Sequence, residues 1–414
     1  MKLLVQKFGG SSLTTDEMRE KVIKKITSRV NNGYKLVVVV SAMGRNGSPY
    51  ATDTLLGLLE NKHQKLEARE LDLLMSCGEI ISGVVLVNAL ADKGYKATCL
   101  TGPQAGIITD NNHQDARILK VDIKKILKTL EEDKIVIVTG FQGRSEEGEI
   151  TTLGRGGSDT SASALGVALK AEAIEIYTDV DGIKTADPRI VSSAKTLGEV
   201  NYNEVCQLAI EGAKVIHPRA VEIAMQQNIP LWVKCTFDDT KGTLVTNQNN
   251  YEQGGEIKER LITGIAHIPE LTQFKVTYDK KETNEVQKMI FKKLAQASIS
   301  VDFINISPRG AIFTVKGKVA DRAEEILTKF NLSISRNDNC AKVAAVGAGM
   351  TGVPGIMARI VEALADEDIK ILQSADSYTT IWCLVEEKDM EKAVQALHAA
   401  FDLDKEKQEP KRVG

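Results

Sequence analysis

Apolar and polar positions follow two rhythms along this chain, and the rhythm changes near residue 261. Before that point, short unbroken apolar runs alternate with longer stretches of helical period. Residues 2–7, 35–40, 95–100, 134–139 and 173–178 read as strands, and residues 16–32, 71–92, 122–132 and 158–169 as helices. Thr15 or Asp16 supplies an N-cap for the first helix. The run at 35–40 (KLVVVV) is apolar without alternation, as expected of a strand covered on both faces. Strand–helix alternation of this kind predicts an α/β fold, a mostly parallel central sheet sandwiched by helices, with ligands at the carboxyl ends of the strands. The glycine-rich turns fall there: Gly9-Gly10 after the first strand, Ser41-Ala-Met-Gly44 after the second and Gly140 after a later one.

Past residue 261 the order becomes strand 273–278, helix 284–297, strands 300–305 and 311–316, helix 319–330, strand 332–336. That is the ferredoxin-like β-α-β-β-α-β unit. It begins again with strand 342–346, helix 354–366, strands 370–373 and 379–385 and helix 389–401, but lacks its last strand. Residues 261–267 form an orphan strand just before the first copy. We expect it to complete the second copy, so that the first is inserted into the second. The predicted domains are therefore residues 1–240, a polar linker at 241–260 containing Gly254-Gly255, a first small domain at 268–338, a second made of 261–267 plus 339–402, and a charged, fraying tail at 403–414.

Composition narrows the function. The 414 residues carry 53 Lys+Arg against 56 Asp+Glu, a net charge of −3, with 43% hydrophobic residues. That excludes a disordered or coiled-coil chain and gives no electrostatic case for nucleic acid or an anionic membrane. The six cysteines show no CxxC spacing and the five histidines no HExxH, which argues against a zinc hydrolase. The N-terminal apolar run is broken at Gln6 and Lys7, too early for a signal peptide, and no apolar run approaches the ~20 residues that span a bilayer. The expectation is a cytoplasmic protein.

Several turns carry chemistry. Lys7-Phe-Gly-Gly-Ser-Ser12 ends the first strand; its glycines let amides approach an anion and its lysine adds a point charge, although a plain tight turn has the same composition. Gly154-Arg-Gly-Gly-Ser-Asp159 opens a helix, where the dipole favours an anion and Arg155 offers a bidentate grip. Glu79, in Ser76-Cys-Gly-Glu79, either complements a helix start or serves a ligand. Thr178-Asp-Val-Asp-Gly182 and Lys184-Thr-Ala-Asp-Pro-Arg189 form a long loop or a nucleotide-lining segment. Gly347-Ala-Gly-Met-Thr-Gly352 matches GxGxxG, but no further βαβ unit follows it, and it reads as a loop of the repeated domain rather than a nicotinamide fingerprint.

Taken together, KFGGSS, SAMG, SCGE, GRGGSD, TDVDG and TADPR resemble, in order, the motifs of the aspartate kinases, and the C-terminal pair resembles their tandem ACT domains. The resemblance implies transfer of the γ-phosphoryl group of ATP, carried with Mg²⁺, to the β-carboxylate of L-aspartate. By motif, Lys7 and Asp159 become the catalytic pair, and Thr52, Glu79, Arg155 and Ser158 the aspartate contacts. Lys7, Phe8, Gly9, Gly10, Ser41, Thr178, Asp179, Lys184, Thr185, Ala186, Asp187, Pro188, Arg189 and Lys214 become the nucleotide side, with no dedicated protein ligands for a metal. The ACT pair implies a homodimer or larger and an amino-acid effector (lysine, threonine or meso-diaminopimelate), with contacts near Asp279, Asn305, Gly349, Ser374 and Ser377. The short form with SAMGRNGSPYATD resembles the diaminopimelate-sensitive Gram-positive type. A related kinase acting on N-acetylglutamate, glutamate, carbamate or UMP, or an inert amino-acid sensor, remains an alternative at this point.

Overall fold

The computed structural model describes residues 2–59, 66–213, 215–247, 261–278, 283–330, 332–348, 350 and 353–405. The chain divides into two compact units: residues 1–183, 196–210 and 214–257 form one, and residues 184–195, 211–213 and 258–414 the other. The linker glycines at 254–255 and most of the charged tail lie outside the described residues.

The first unit contains, among the described residues, strands β1 (Leu3–Phe8), β2 (Lys35–Val40), β3 (Ala97–Leu100), β4 (Ile107–Thr109), β5 (Ile118–Val121), β6 (Ile135–Thr139), β7 (Gln142–Ser145), β8 (Ile150–Thr152), β9 (Ala173–Thr178), β10 (Glu199–Val200), β11 (Leu231–Cys235) and β12 (Thr243–Val245). Its helices are α1 (Asp16–Asn31), α2 (Thr52–Gly57), α3 (Ala68–Ala91), α4 (Lys124–Glu131), α5 (Gly157–Ala168), α6 (Tyr202–Ile210) and α7 (Pro218–Met225). The main sheet runs in the order β10-β12-β11-β9-β1-β2-β6-β3. It is parallel from β11 to β3; β12 runs antiparallel to β11, and β10 pairs parallel with β12 at the edge. A smaller sheet, β5-β4-β7-β8, accompanies it.

β1 lies between β2 and β9 and is buried on both faces, with no exposed surface at Val5 or Phe8. Of the two polar residues in β1, Lys7 reaches the sheet edge and Gln6 donates to Glu175 on β9 (2.9 Å). Arg29 of α1 (2.5 Å) and Lys234 of β11 (2.8 Å) converge on the same carboxylate. Burial alone would raise the Glu175 pKa, but these partners hold it below the usual carboxylate range. One buried anion thus ties three strands and a helix.

Helix α3 departs from the sequence expectation. It is 24 residues long, and an 18-residue window with mean hydropathy 1.9 makes it long and apolar enough, by length and composition, to cross a membrane. The apolar run was masked in the sequence by Ser76, Gly78, Glu79, Ser82 and Gly83, all of which are buried here. The helix packs on β3, β6 and β8.

The second unit comprises β13 (Gly264–Thr277), α8 (Thr283–Gln296), β14 (Asp302–Ser307), β15 (Gly310–Lys316), α9 (Ala320–Leu327), β16 (Ser333–Val346), α10 (Ile356–Ala365), β17 (Gln373–Asp376), β18 (Thr380–Glu386) and α11 (Met390–Ala400). These strands form one antiparallel sheet, β14-β15-β13-β16-β18-β17. Its two central strands are each 14 residues long. The first half of β13 pairs with the second half of β16 (Gly264 opposite Val346), and the second half of β13 with the first half of β16 (Thr277 opposite Ser333). The orphan strand is therefore the beginning of the first copy's own first strand, and the first copy is inserted into the second through two shared strands. Glu270 and Asn339 adopt left-handed backbone (φ 58° and 53°) beside the register shifts at the join. Polar residues there read as loops in the sequence but act as bulges.

Each copy has its own core. Phe274 and Phe313, ring centroids 6.0 Å apart, centre the first. The second takes in Ala186 and Val191, which explains why residues 184–195 leave the first unit.

Candidate active site

Parallel pairing brings the carboxyl ends of β1, β2, β6 and β9 to one edge of the main sheet, and the pairing continues into the loops. Ser41 N–H donates to the Phe8 carbonyl (3.2 Å) and Gly140 N–H to the Val40 carbonyl (2.9 Å). Gly44 N–H donates to the Gly10 carbonyl (3.0 Å), and a Cβ at Gly10 would overlap the Ala42 carbonyl oxygen. The first turn thus needs glycine because the SAMG turn is seated directly on it.

These loops and the start of α5 enclose a cleft of about 690 Å³. Lys7 Nζ lies 2.6 Å from Asp159 Oδ1 in it, with only 12% and 13% of the two side chains exposed. Asp159 sits in the first turn of α5, whose N-cap, Gly156, is left-handed (φ 71°); a Cβ there would overlap the His217 ring. With no side chain capping the helix, its first amides and positive dipole end face the cleft together with Gly157 and Ser158. Arg155 is exposed and lines the same space.

Glu79, three turns into α3 and not at a helix start as the sequence suggests, is 3% exposed. Its Oε1 accepts from Ala42 N–H (3.1 Å), while Oε2 is buried with no hydrogen-bond partner among the described residues. Burial pushes its pKa up to about 8. A cationic group entering the cleft would pair with Oε2 and bring that value back down.

The cleft gathers Lys7, Gly10, Ser41, Thr52, Glu79, Arg155, Ser158 and Asp159 of the residues singled out from sequence. Phe8 is fully buried and stacks on Tyr177 (4.8 Å), so it supports the floor rather than lining it. Gly9 adjoins Lys7, with its N–H directed to the Tyr177 carbonyl (3.4 Å). Asp179, following Thr178 at the end of β9, pairs with Arg45 (2.6 Å), and burial of Asp179, which would raise its pKa, is outweighed by these bonds.

The segment from Lys184 to Arg189 belongs instead to the second unit. There the Thr185 hydroxyl meets His398 Nε2 (2.9 Å), Ala186 is in the apolar core, and Asp187, before Pro188, pairs with Arg189 (2.6 Å). Thr185 and Ala186 are 1% and 6% exposed, whereas Lys184, Asp187, Pro188 and Arg189 keep exposed surface. Lys214, Asp279 and Gly349 lie outside the described residues. Asn305 is on β14 and Ser374 on β17, the two opposite edges of the second sheet, with Ser377 in the turn after β17. The two end strands nonetheless meet within one chain, where the Gln373 side chain donates to the Phe303 carbonyl (2.7 Å).

Sequence reasoning missed four residues: Arg45, Gln114 and Phe141, which line the cleft, and His217, which backs Gly156. Phe141 and Gln114 hold positive φ (69° and 68°), a conformation that composition does not signal for such residues. His217 is close enough to sense Asp159 and Arg155, and burial lowers its pKa.

Comparison with known proteins agrees with this geometry. Residues 2–235 match the amino acid kinase family and residues 335–399 an ACT domain. The chain is 52% identical over 405 residues to aspartokinase 1 of Bacillus subtilis, covering 98% of this chain and all of that one. It is 41% identical to an aspartokinase of Geobacillus stearothermophilus, covering 98% of each. Among solved structures it resembles E. coli aspartokinase III in complex with aspartate and ADP (25% identity, TM-score 0.76, 96% of this chain and 99% of that one). It also resembles the Clostridium acetobutylicum aspartate kinase (26% identity, TM-score 0.76, 96% and 100%).

Proposed function

The chain belongs to the amino acid kinase family, among its aspartokinases, and from that premise we infer that it transfers the γ-phosphoryl group of ATP to the β-carboxylate of L-aspartate, giving ADP and 4-phospho-L-aspartate for amino-acid biosynthesis. The observation that carries the chemistry is the Lys7–Asp159 pair facing one cleft with Arg155 and Glu79.

The reacting carboxylate has a reference pKa of about 3.9 and is ionised at neutral pH, so it needs no general base. The barrier lies in driving one anion against a polyanion in line. Lys7, the first amides of α5 and the glycine turn after β1 supply positive potential to the phosphoryl oxygens. Asp159 orients Lys7 and does not accept the substrate proton. Arg155 grips a carboxylate of aspartate, Glu79 Oε2 receives its ammonium, and Thr52 and Ser158 bound the same space. Ser41, Gly9, Gly10 and Thr178-Asp179 face the nucleotide. Asp159 is committed to Lys7 and Asp179 to Arg45, and among the described residues no group of three His, Cys, Asp or Glu could hold a metal. This donor set fits a Mg²⁺ that arrives on the nucleotide, held mainly by phosphates and water, where it supplies charge neutralisation.

Coupled ADP release tests the reading. Aspartate should support turnover, and N-acetylglutamate and glutamate should not; ADP release with every acceptor alike would overturn it. Arg155→Ala should raise the KM for aspartate more than that for ATP. If Asp159→Asn left turnover unchanged, the catalytic assignment would be wrong.

We further propose that the ACT unit binds an amino-acid end product (lysine, threonine or meso-diaminopimelate) and biases the kinase by preferring one conformation. Its second copy keeps Pro354-Gly355 before α10, whereas the first reads Asp279-Lys-Lys-Glu-Thr-Asn284 at the same place. That sequence difference supports unequal roles for the two copies. Light scattering should show a homodimer or larger assembly, and repeating the kinase assay with each end product should identify one inhibitor.

A further inference from the structure

Asp72 is fully buried in α3, two turns before Glu79, and the catalytic reading gives it no task. Its carboxylate is completely engaged. Oδ1 accepts from the Thr152 hydroxyl of β8 (2.5 Å), both oxygens accept from Gln114 N–H (3.1 and 3.2 Å), and Oδ2 meets His113 Nδ1 (2.7 Å). Two of these partners lie in the loop between β4 and β5, which is pinned at other points as well. Asp110 accepts from Asn112 N–H (3.2 Å) and Arg117 N–H (3.0 Å), and the Arg219 guanidinium donates to the Leu153 and Ala116 carbonyls (2.8 and 2.9 Å).

The product of this network is one residue, Gln114, held left-handed at φ 68° on the wall of the cleft. A non-glycine in that conformation is strained, and it persists where surrounding bonds over-determine it. The elements around Gln114 are those that carry the amino-acid contacts: α3 bears Glu79, and β8 leads into the turn that bears Arg155. A Cβ at Gly154 would lie 2.9 Å from the Gln114 carbonyl oxygen, so the loop abuts that turn directly.

We propose that Gln114 is a further specificity-determining residue of the amino-acid site, presented to the cleft by buried Asp72 and its partner His113. The inference rests on the aspartate kinase reading above. A neutral carboxamide beside Arg155 donates N–H to the α-carboxylate without competing with Glu79 for the ammonium. Its backbone is fixed by a buried carboxylate, so it forms a wall that does not retreat, and the distance from that wall to the phosphoryl group selects a four-carbon diacid over a longer one.

Steady-state kinetics of Gln114→Ala and Gln114→Gly test the proposal, with the unaltered enzyme as the control for the aspartate reading itself. Glycine relieves the left-handed strain and removes the side chain, whereas alanine only removes the side chain. Both variants should raise the KM for aspartate at least tenfold, leave the KM for ATP within twofold, and reduce the preference for aspartate over glutamate. Gln114→Asn, which tolerates the same backbone and keeps the amide, should recover part of the loss. In an Asp72→Asn/Gln114→Ala double variant the KM for aspartate should be no higher than in Gln114→Ala alone, because Asp72 acts through Gln114. A Gln114→Gly enzyme with unaltered aspartate KM would show that only the backbone matters and would overturn the proposal, as would an equal rise in both KM values.

Discussion

Each unit of this protein buries a lysine against a carboxylate, and the two pairs serve different ends. Lys7–Asp159 (2.6 Å) sits at the carboxyl edge of a parallel sheet and opens onto a cleft. Lys342–Glu211 (2.9 Å) lies in the second unit with 4% and 3% of its side chains exposed, joined by Asp302 (2.7 Å), with the Trp382 ring 5.8 Å from the ammonium. Burial would lower the pKa of Lys342, but the two carboxylates carry it above its ordinary value. The chemistry of the pair does not decide its role; what the pair faces does. A parallel sheet delivers several loops to one edge and so builds a cleft around its pair. The antiparallel sheet of the second unit, fused through two shared strands, encloses its pair instead.

Breaking the enclosed pair should give the largest effect on stability. Lys342→Ala leaves Glu211 buried and unpaired, and should cost about 3–5 kcal/mol in urea unfolding. At 25 °C the protein that remains folded should keep its KM values. Lys7→Ala should do the reverse: a loss of about 10²–10³ in kcat, equivalent to roughly 2.7–4 kcal/mol, with little change in the melting midpoint, because cleft water can solvate Asp159. Were both variants to lose activity and stability alike, the contrast between the pairs would fail.

Glu79 gives a smaller, pH-dependent effect. Its pKa of about 8 in the open cleft falls when an ammonium binds, so binding below pH 8 releases a proton. The apparent affinity for aspartate should therefore strengthen by about tenfold per pH unit on going from pH 6 to 8 and level off above it. Isothermal titration in buffers of different ionisation enthalpy would count the proton, and Glu79→Gln should remove the dependence. The smallest effect belongs to Arg45–Asp179, whose side chains are 71% and 42% exposed. Exposed pairs contribute roughly 0–1 kcal/mol, so Arg45→Ala should change the KM for ATP by no more than about fivefold.

Much of this was legible in sequence, for reasons particular to each region. Lys35–Val40 is legible to the residue because a strand buried on both faces leaves an unbroken apolar run, and Ala173–Thr178 is legible despite the buried Glu175 within it. Lys7, Arg155 and Asp159 stand out because glycine-rich neighbours are required where loops pack backbone to backbone, as Gly10 does against the Ala42 carbonyl. What failed was anything carried by left-handed non-glycine residues. Glu270 and Asn339 disguised two 14-residue strands as four short ones. Gln114 and Phe141 reached the cleft by backbone geometry that no local composition announces. That Ala186 and Val191 join the core of the second unit is likewise not announced by the polar, turn-rich composition around them.

The most direct test of a cationic cleft aligning aspartate with ATP is to trap the acyl phosphate product with hydroxylamine. Aspartate β-hydroxamate should form in step with ADP in the unaltered enzyme and should nearly vanish in Asp159→Asn. ADP release without hydroxamate, or hydroxamate undiminished by that substitution, would contradict the assignment.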